Sequence, residues 1–148
     1  MNSYPPGSFY FQLQFGDMRT PADNAFQEAT GLAAELEIEE IQEGRQAYKH
    51  RMPKGTKYGN LVLRRGFVAS NSQLAKWVGA SINTDFSKPI QCTDVLLSLL
   101  NGQNVALATW HFREAWPVKW SMSDFKSQEN ALAIETLEFA YAEFQRVV

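Results

Sequence analysis

The sequence predicts a mainly β fold, an antiparallel barrel or sandwich with one helix packed on it. Three observations lead there. Apolar and polar residues alternate in several short runs. Only one stretch, from Leu74 to Ile82, clearly repeats its apolar residues at helical spacing. Strands and helices do not alternate along the chain, so a parallel sheet is not implied.

The elements follow in order. Residues 1–7 hold two prolines and a glycine and read as an extended arm. Phe9, Phe11, Leu13 and Phe15 then alternate with Tyr10, Gln12 and Gln14, the pattern of a half-buried strand. Residues 16–24 are a turn-rich connection containing Pro21 and Asp23. A second strand signal starts near Phe26 and is punctuated by Gly31. Beyond it Leu36 and Ile38 alternate with Glu35, Glu37 and Glu39, giving one apolar and one acidic face. The alternation slips at Glu40 and Ile41, which predicts a bulge or a strand end.

Residues 45–57 carry Arg45, Lys49, His50, Arg51, Lys54 and Lys57 and no acid. Pro53 and Gly55 interrupt regular structure there, so a long, basic, exposed loop is expected. Residues 60–67 resume as a strand, with Leu61 and Leu63 on one face and Val62 and Arg64 on the other.

Ser70, Asn71 and Ser72 form a helix N-cap cluster. Leu74, Trp77, Val78 and Ile82 then mark the packing face of the helix, which residues 86–89 end. Residues 91–100 read as a strand, and Asn101-Gly102 as a hairpin turn that Gln103 and Asn104 can extend. The partner strand covers 105–116 and should break at Pro117; 118–121 is a short piece and 121–130 is polar and loop-like. Residues 131–148 fit two patterns. Ile134, Leu137, Tyr141 and Phe144 suit a helix, whereas Leu137, Phe139 and Tyr141 against Leu132 and Ile134 suit a strand. Internal repeats and low-complexity tracts are absent from the sequence.

With 148 residues, 45% hydrophobic and 13% aromatic, the chain fits one compact domain spanning 1–148. A net charge of -2 gives no global attraction to nucleic acid or membrane. The one cysteine, Cys92, cannot form an internal disulfide, and a buried, inert thiol is expected. The N-terminal stretch has no basic region leading into an apolar one, and no apolar run approaches the ~20 residues of a spanning helix. The expectation is a protein made and folded in the cytoplasm, with no membrane anchor.

Motifs for chemistry are missing. His50 and His111 stand far apart, so a zinc site is not expected, and His111 between Trp110 and Phe112 reads as a structural histidine. Residues 53–57 lack the spacing of a phosphate loop. No carboxylates form a recognisable acid–base pair. Catalytic, cofactor-binding and metal residues are therefore all expected to be none, and the chain is expected not to be an enzyme.

Two charge features remain, the acidic face of Glu35, Glu37 and Glu39 and the basic segment 45–57. Both are read either as plain solvated surface or as complementary parts of a head-to-tail contact between identical subunits. A different reading makes the chain a monomeric binding module, with the basic loop and Tyr48 and Tyr58 taking nucleic acid or an anionic ligand.

Several segments resemble one family: PPGSFYFQLQFG, FQEATGLAAELEIEEIQEG, HRMPKGTKYGNLVLRRGF, LAKWV, FREAWPVKW and ALAIETLEFAYAEF. The blocks running from Lys57 to Gly66 and from Ala115 to Trp120 carry most of the specificity. Together these segments resemble the tail-tube proteins of contractile phages and of phage-derived injection particles. The resemblance implies an antiparallel β-barrel of two packed sheets with one flanking helix, as in the type VI secretion tube protein. It also implies that residues 131–144 are a strand, and that subunits form hexameric rings stacking into a hollow inner tube. The expected partners are further copies of the chain, the sheath, baseplate hub or spike, tape-measure or terminator proteins, and effector protein or DNA in the lumen. The implied setting is cytoplasmic assembly into a phage tail or an injection particle released outside the cell. In the family the loop at 45–57 contacts the adjacent ring. Glu35, Glu37 and Glu39 are candidates to line the lumen or to form an acidic contact face.

Overall fold

The computed structural model describes residues 9–15, 23–42, 44–45, 49–66, 73–83, 90–123 and 133–147. The extended arm at 1–7, residues 16–22 of the turn-rich connection, the N-cap cluster at 70–72, Tyr48, the helix stop at 86–89 and the polar run at 124–130 lie outside the described residues.

The main sheet is antiparallel throughout. Its strands are β1 (Phe9–Phe15), β2 (Asp23–Phe26), β3 (Glu28–Thr30), β6 (Leu61–Gly66), β7 (Thr93–Asn101), β8 (Ala106–Met122), β9 (Ile134–Ala140) and β10 (Glu143–Arg146). Their order is β2-β1-β7-β8-β9-β6-β3, with β10 added beside β8. The two end strands, β2 and β3, are separated by Gln27 alone, whose N–H donates to the Arg64 carbonyl at 2.9 Å. The chain thus steps from one end of the sheet to the other and rolls it up.

Alternation decides which side faces in. Leu13 and Phe15 of β1, Val95 and Leu97 of β7 and Phe112 of β8 form one wall of the core. Leu61 and Leu63 of β6 with Leu137 and Phe139 of β9 form the other. The two walls are the two packed sheets that the resemblance implied, and β8 belongs to both.

That sharing corrects the expected break at Pro117. β8 runs 17 residues straight through it. Its first part pairs with β7 and β10, and its last part, from Trp116, pairs with β9. Two irregularities bend it. Glu114 has φ 53, its N–H donating to Asp94 Oδ1 at 3.1 Å. A register shift between Pro117 and Lys119 accommodates the proline, which has no N–H to give a regular ladder.

The ambiguous C-terminal stretch is strand, as the resemblance implied, but in two pieces. β9 and β10 are separated at Tyr141 and Ala142 and flank β8 on the same side. Burial of Leu137 and Phe139 against the opposite wall overrides the helical propensity of the Ala- and Glu-rich sequence. The turn after β7 uses both extra residues. Asn101 Oδ1 accepts the N–H groups of Gln103 and Val105, and Asn104 takes the left-handed conformation at φ 62.

The helix α1 (Gln73–Ile82) is where its spacing placed it. Leu74 and Val78 are buried in the core, and Trp77 stacks between Phe15 and Phe139 at centroid distances of 5.4 and 5.7 Å. The Trp77 indole N–H donates to the Gln91 carbonyl at 3.1 Å. Ile82 departs from the expectation and is 40% exposed. Gly79 and the half-exposed Trp120 leave a cleft at that turn instead of a wall to pack on. Cys92, expected to be buried, is also exposed, because it precedes the first residue of β7.

Candidate assembly surface

Residues 45–57 are not one long loop. β4 (Ala34–Ile41) and β5 (His50–Tyr58) form an antiparallel two-stranded hairpin, which pairs with no other strand among the described residues. The loop prediction failed for a physical reason. Pro53 and Gly55 break a central strand, but each strand of a ribbon has a free edge. Pro53 sits opposite Ile38, next to a register shift between Glu37 and Ile38 that absorbs the missing donor. The slip expected at Glu40 and Ile41 is the strand end, while the bulge falls three residues earlier.

The hairpin is anchored at its root. Gly31 has φ 86, and a Cβ there would lie 1.8 Å from the Asn60 carbonyl oxygen, so only glycine fits. The Asn60 side-chain amide donates to Glu138 Oε2 at 2.9 Å. Tyr58 packs on Tyr141 and Phe144, which pack on Phe112 of the core. The Tyr141 hydroxyl donates to the Gly59 carbonyl at 2.5 Å. Burial and the neighbouring Tyr58 push the Tyr141 phenol up to about 12.

The structure brings the two charge features together in one chain. Glu35 faces Lys57 and Glu40 faces Arg51 across the hairpin, and Lys49 Nζ lies 3.8 Å from Glu40 Oε2. Glu37 and Glu39 lie opposite Gly55 and Met52. His50 opens β5 opposite Ile41, while Arg45 lies outside the hairpin strands; both are exposed. Lys54 falls beside the bulge and is exposed as well.

The unexpected feature is apolar. The alternation of Leu36 and Ile38 correctly predicts a strand but not its surroundings: they are 62% and 52% exposed, and Met52 is 50% exposed. With Arg51 and Pro53 they line a shallow concavity on the hairpin. Three large apolar side chains thus meet solvent close together on the hairpin.

Sequence reading also missed a buried ion pair in the barrel. Arg65 Nε lies 3.0 Å from Glu135 Oε2, with both side chains almost fully enclosed. Trp120 Nε1 donates to Glu135 Oε1 at 3.0 Å, and the Arg65 guanidinium sits 4.8 Å from the centre of the Phe26 ring. The period of two through Leu61, Leu63 and Arg65 was the available signal. On the outer side of the same sheet His111 Nε2 lies 3.0 Å from Asp94 Oδ2, which gives the structural histidine its partner. The Glu114 N–H and then His111 hold the Asp94 carboxyl below the usual aspartate range.

Among the described residues there is no group of three or more metal-ligating side chains and no helix long and apolar enough to cross a membrane. The described residues thus form a curled antiparallel sheet with one helix and a projecting, partly apolar hairpin. The profile of the T4-like virus tail tube protein gp19 family matches residues 7–145, and the chain belongs to that family. The fold is similar to a chain of the extracellular contractile injection system PVC in its extended sheath–tube complex, with TM-score 0.74, 23% identity, and coverage of 98% of this chain and 93% of that one. It is similar to a chain of the anti-feeding prophage baseplate, with TM-score 0.72, 24% identity and coverage of 99% and 97%. Hcp1 from Flavobacterium johnsoniae shares the fold more distantly, with TM-score 0.52, 15% identity and coverage of 93% and 94%. No curated protein matches the chain.

Proposed function

We propose that the chain is the structural subunit of the inner tube of a contractile phage-tail-like injection machine, forming hexameric rings that stack into a conduit. Family membership supports the tube, and the observation that carries assembly is the hairpin of β4 and β5, with Leu36, Ile38 and Met52 at least half exposed. Such a surface, on a ribbon that is held at its root and pairs with no other strand among the described residues, suits contact with a second copy. The similar anti-feeding prophage chain comes from a baseplate with six-fold symmetry, which supports the hexamer.

In this reading the hairpin reaches the adjacent ring, with Arg51, Lys54 and Lys57 setting register around the apolar contact. Glu35, Glu37 and Glu39 face the lumen or a neighbouring subunit. The sheath surrounds the tube, hub or spike and terminator proteins close its ends, and effector protein or DNA passes through. Assembly takes place in the cytoplasm, before the particle is released or attached. The subunit acts by its shape and contacts and performs no catalysis.

Negative-stain microscopy of the concentrated full chain tests this. Six-fold rings or tubes are expected. A species that stays monomeric and binds DNA with steep salt dependence would replace this reading with the binding module.

A further inference from the structure

The hairpin leaves the barrel at one end of the sheet, and an open cleft lies at the other. The strand β6 starts at the hairpin root with Leu61 and reaches Arg65 four residues later, roughly 13 Å away at ~3.3 Å per residue. Register fixes the rest. Phe139 lies opposite Leu61 near the root, while Glu135 lies opposite Arg65 at the far end. Trp120 belongs to that far end, since it pairs with Leu137 and its indole bonds to Glu135.

There α1 and the sheet leave a cleft of about 320 Å³, lined by Arg65, Val78, Gly79, Ile82, Trp120 and Glu135 among others. Its mouth holds two large apolar side chains in contact with solvent, Ile82 at 40% and Trp120 at 48% exposure. Arg65 and Glu135 at its floor neutralise one another. What the cleft offers is apolar wall and an aromatic face.

We propose that this cleft receives the hairpin of a second copy of the chain, in a head-to-tail repeat. The inference rests on the stacked-ring reading and names the surface that takes the hairpin. Two things on the molecule select this occupant. The hairpin and the cleft sit at opposite ends of β6, so one translation along the strand direction brings the donor of one copy to the acceptor of the next and can repeat without limit, as a heterologous contact does when no rotation closes it. Their chemistry also matches. The hairpin concavity is lined by Leu36, Ile38, Met52 and Pro53 with Arg51, which lies opposite Glu40. The cleft carries Val78 and Ile82 with the ring of Trp120, a surface on which a guanidinium stacks well. Trp and Arg are the side chains that most often dominate such contacts.

The test uses the full chain in assembled tubes, with Cys92→Ser to remove the exposed native thiol. Chains carrying Ile38→Cys are mixed with differently tagged chains carrying Ile82→Cys and oxidised. A disulfide-linked heterodimer in tubes, absent from dispersed subunits, is expected. Separately, Ile38→Glu or Ile82→Lys alone should lower the assembled fraction about tenfold, and the two in mixed or double-variant chains should restore it. Tubes that form without the cross-link and without rescue would overturn the cleft as receptor while leaving the tube reading intact. Failure of the unmodified chain to make rings or tubes would overturn both readings.

Discussion

The Tyr141 hydroxyl donates to the carbonyl of Gly59, 2.5 Å away, at the point where the hairpin leaves the barrel. Gly59 follows the last residue of β5, and Tyr141 sits in the gap between β9 and β10. One hydrogen bond therefore ties the projecting ribbon to the strand pair that flanks β8.

Removing that tie should loosen the hairpin before it loosens the barrel. Tyr141→Phe keeps the ring contacts with Phe112, Tyr58 and Phe144 and loses only the hydroxyl. A stability loss of about 1 kcal/mol is expected. Hydrogen exchange should speed up across residues 50–58 more than in β7. There is also an alkaline signature. The folded phenol titrates at about 12 against an ordinary 10.0, so its contribution is complete below pH 10 and is lost as pH rises towards 12. Urea melts of wild type and Tyr141→Phe should converge over that window.

The buried pair of Arg65 and Glu135 sets a second expectation. Glu135→Ala leaves the enclosed guanidinium without its carboxylate and also orphans the Trp120 indole N–H. Breaking a buried pair on one side costs about 3–5 kcal/mol. A chemical denaturation midpoint close to that of the wild type would show that Arg65 finds solvent instead.

Trp77 contributes through stacking more than through depth. It is only partly buried, but its ring lies between Phe15 and Phe139 and its N–H is used by Gln91. Trp77→Ala should cost about 3 kcal/mol, the lower end for a large aromatic. A loss below about 1 kcal/mol in a urea melt would remove the helix from the core.

Asp94 gives an acid-limb prediction. Its folded carboxyl lies below the ordinary 3.8, so the stability it contributes is present above that value and is lost as pH falls through the folded one. Asp94→Asn should be less stable than wild type at neutral pH, and the gap should close below pH 3.8. The size should be modest, because the side chain is largely exposed.

How much of this was legible in the sequence depends on what each segment packs against. Alternation reports burial on one side, so β6 and the Leu13–Phe15 end of β1 could be read directly, and the spacing of Leu74, Trp77 and Val78 found the helix; at the start of β1 the pattern misled, since Phe9 is 59% exposed and Tyr10 is buried. The hairpin was harder. Its strand β4 alternates as a half-buried strand would, yet no barrel wall covers Leu36 or Ile38. Pro53 and Gly55 hid β5, because a ribbon tolerates at its edge what a central strand does not. The break assigned to Pro117 failed in the same way, through a register shift that no local pattern announces. The Arg65 and Glu135 pair needed two strands 70 positions apart to be set in register first.

The most direct test of the central claim is electron microscopy of the full chain beside the double variant Leu36→Glu/Ile38→Glu. Both side chains are more than half exposed, so folding and thermal midpoint should be unchanged. Stacked tubes are expected for the unmodified chain, and single rings or free subunits for the variant. Tubes of equal length from both would contradict the claim.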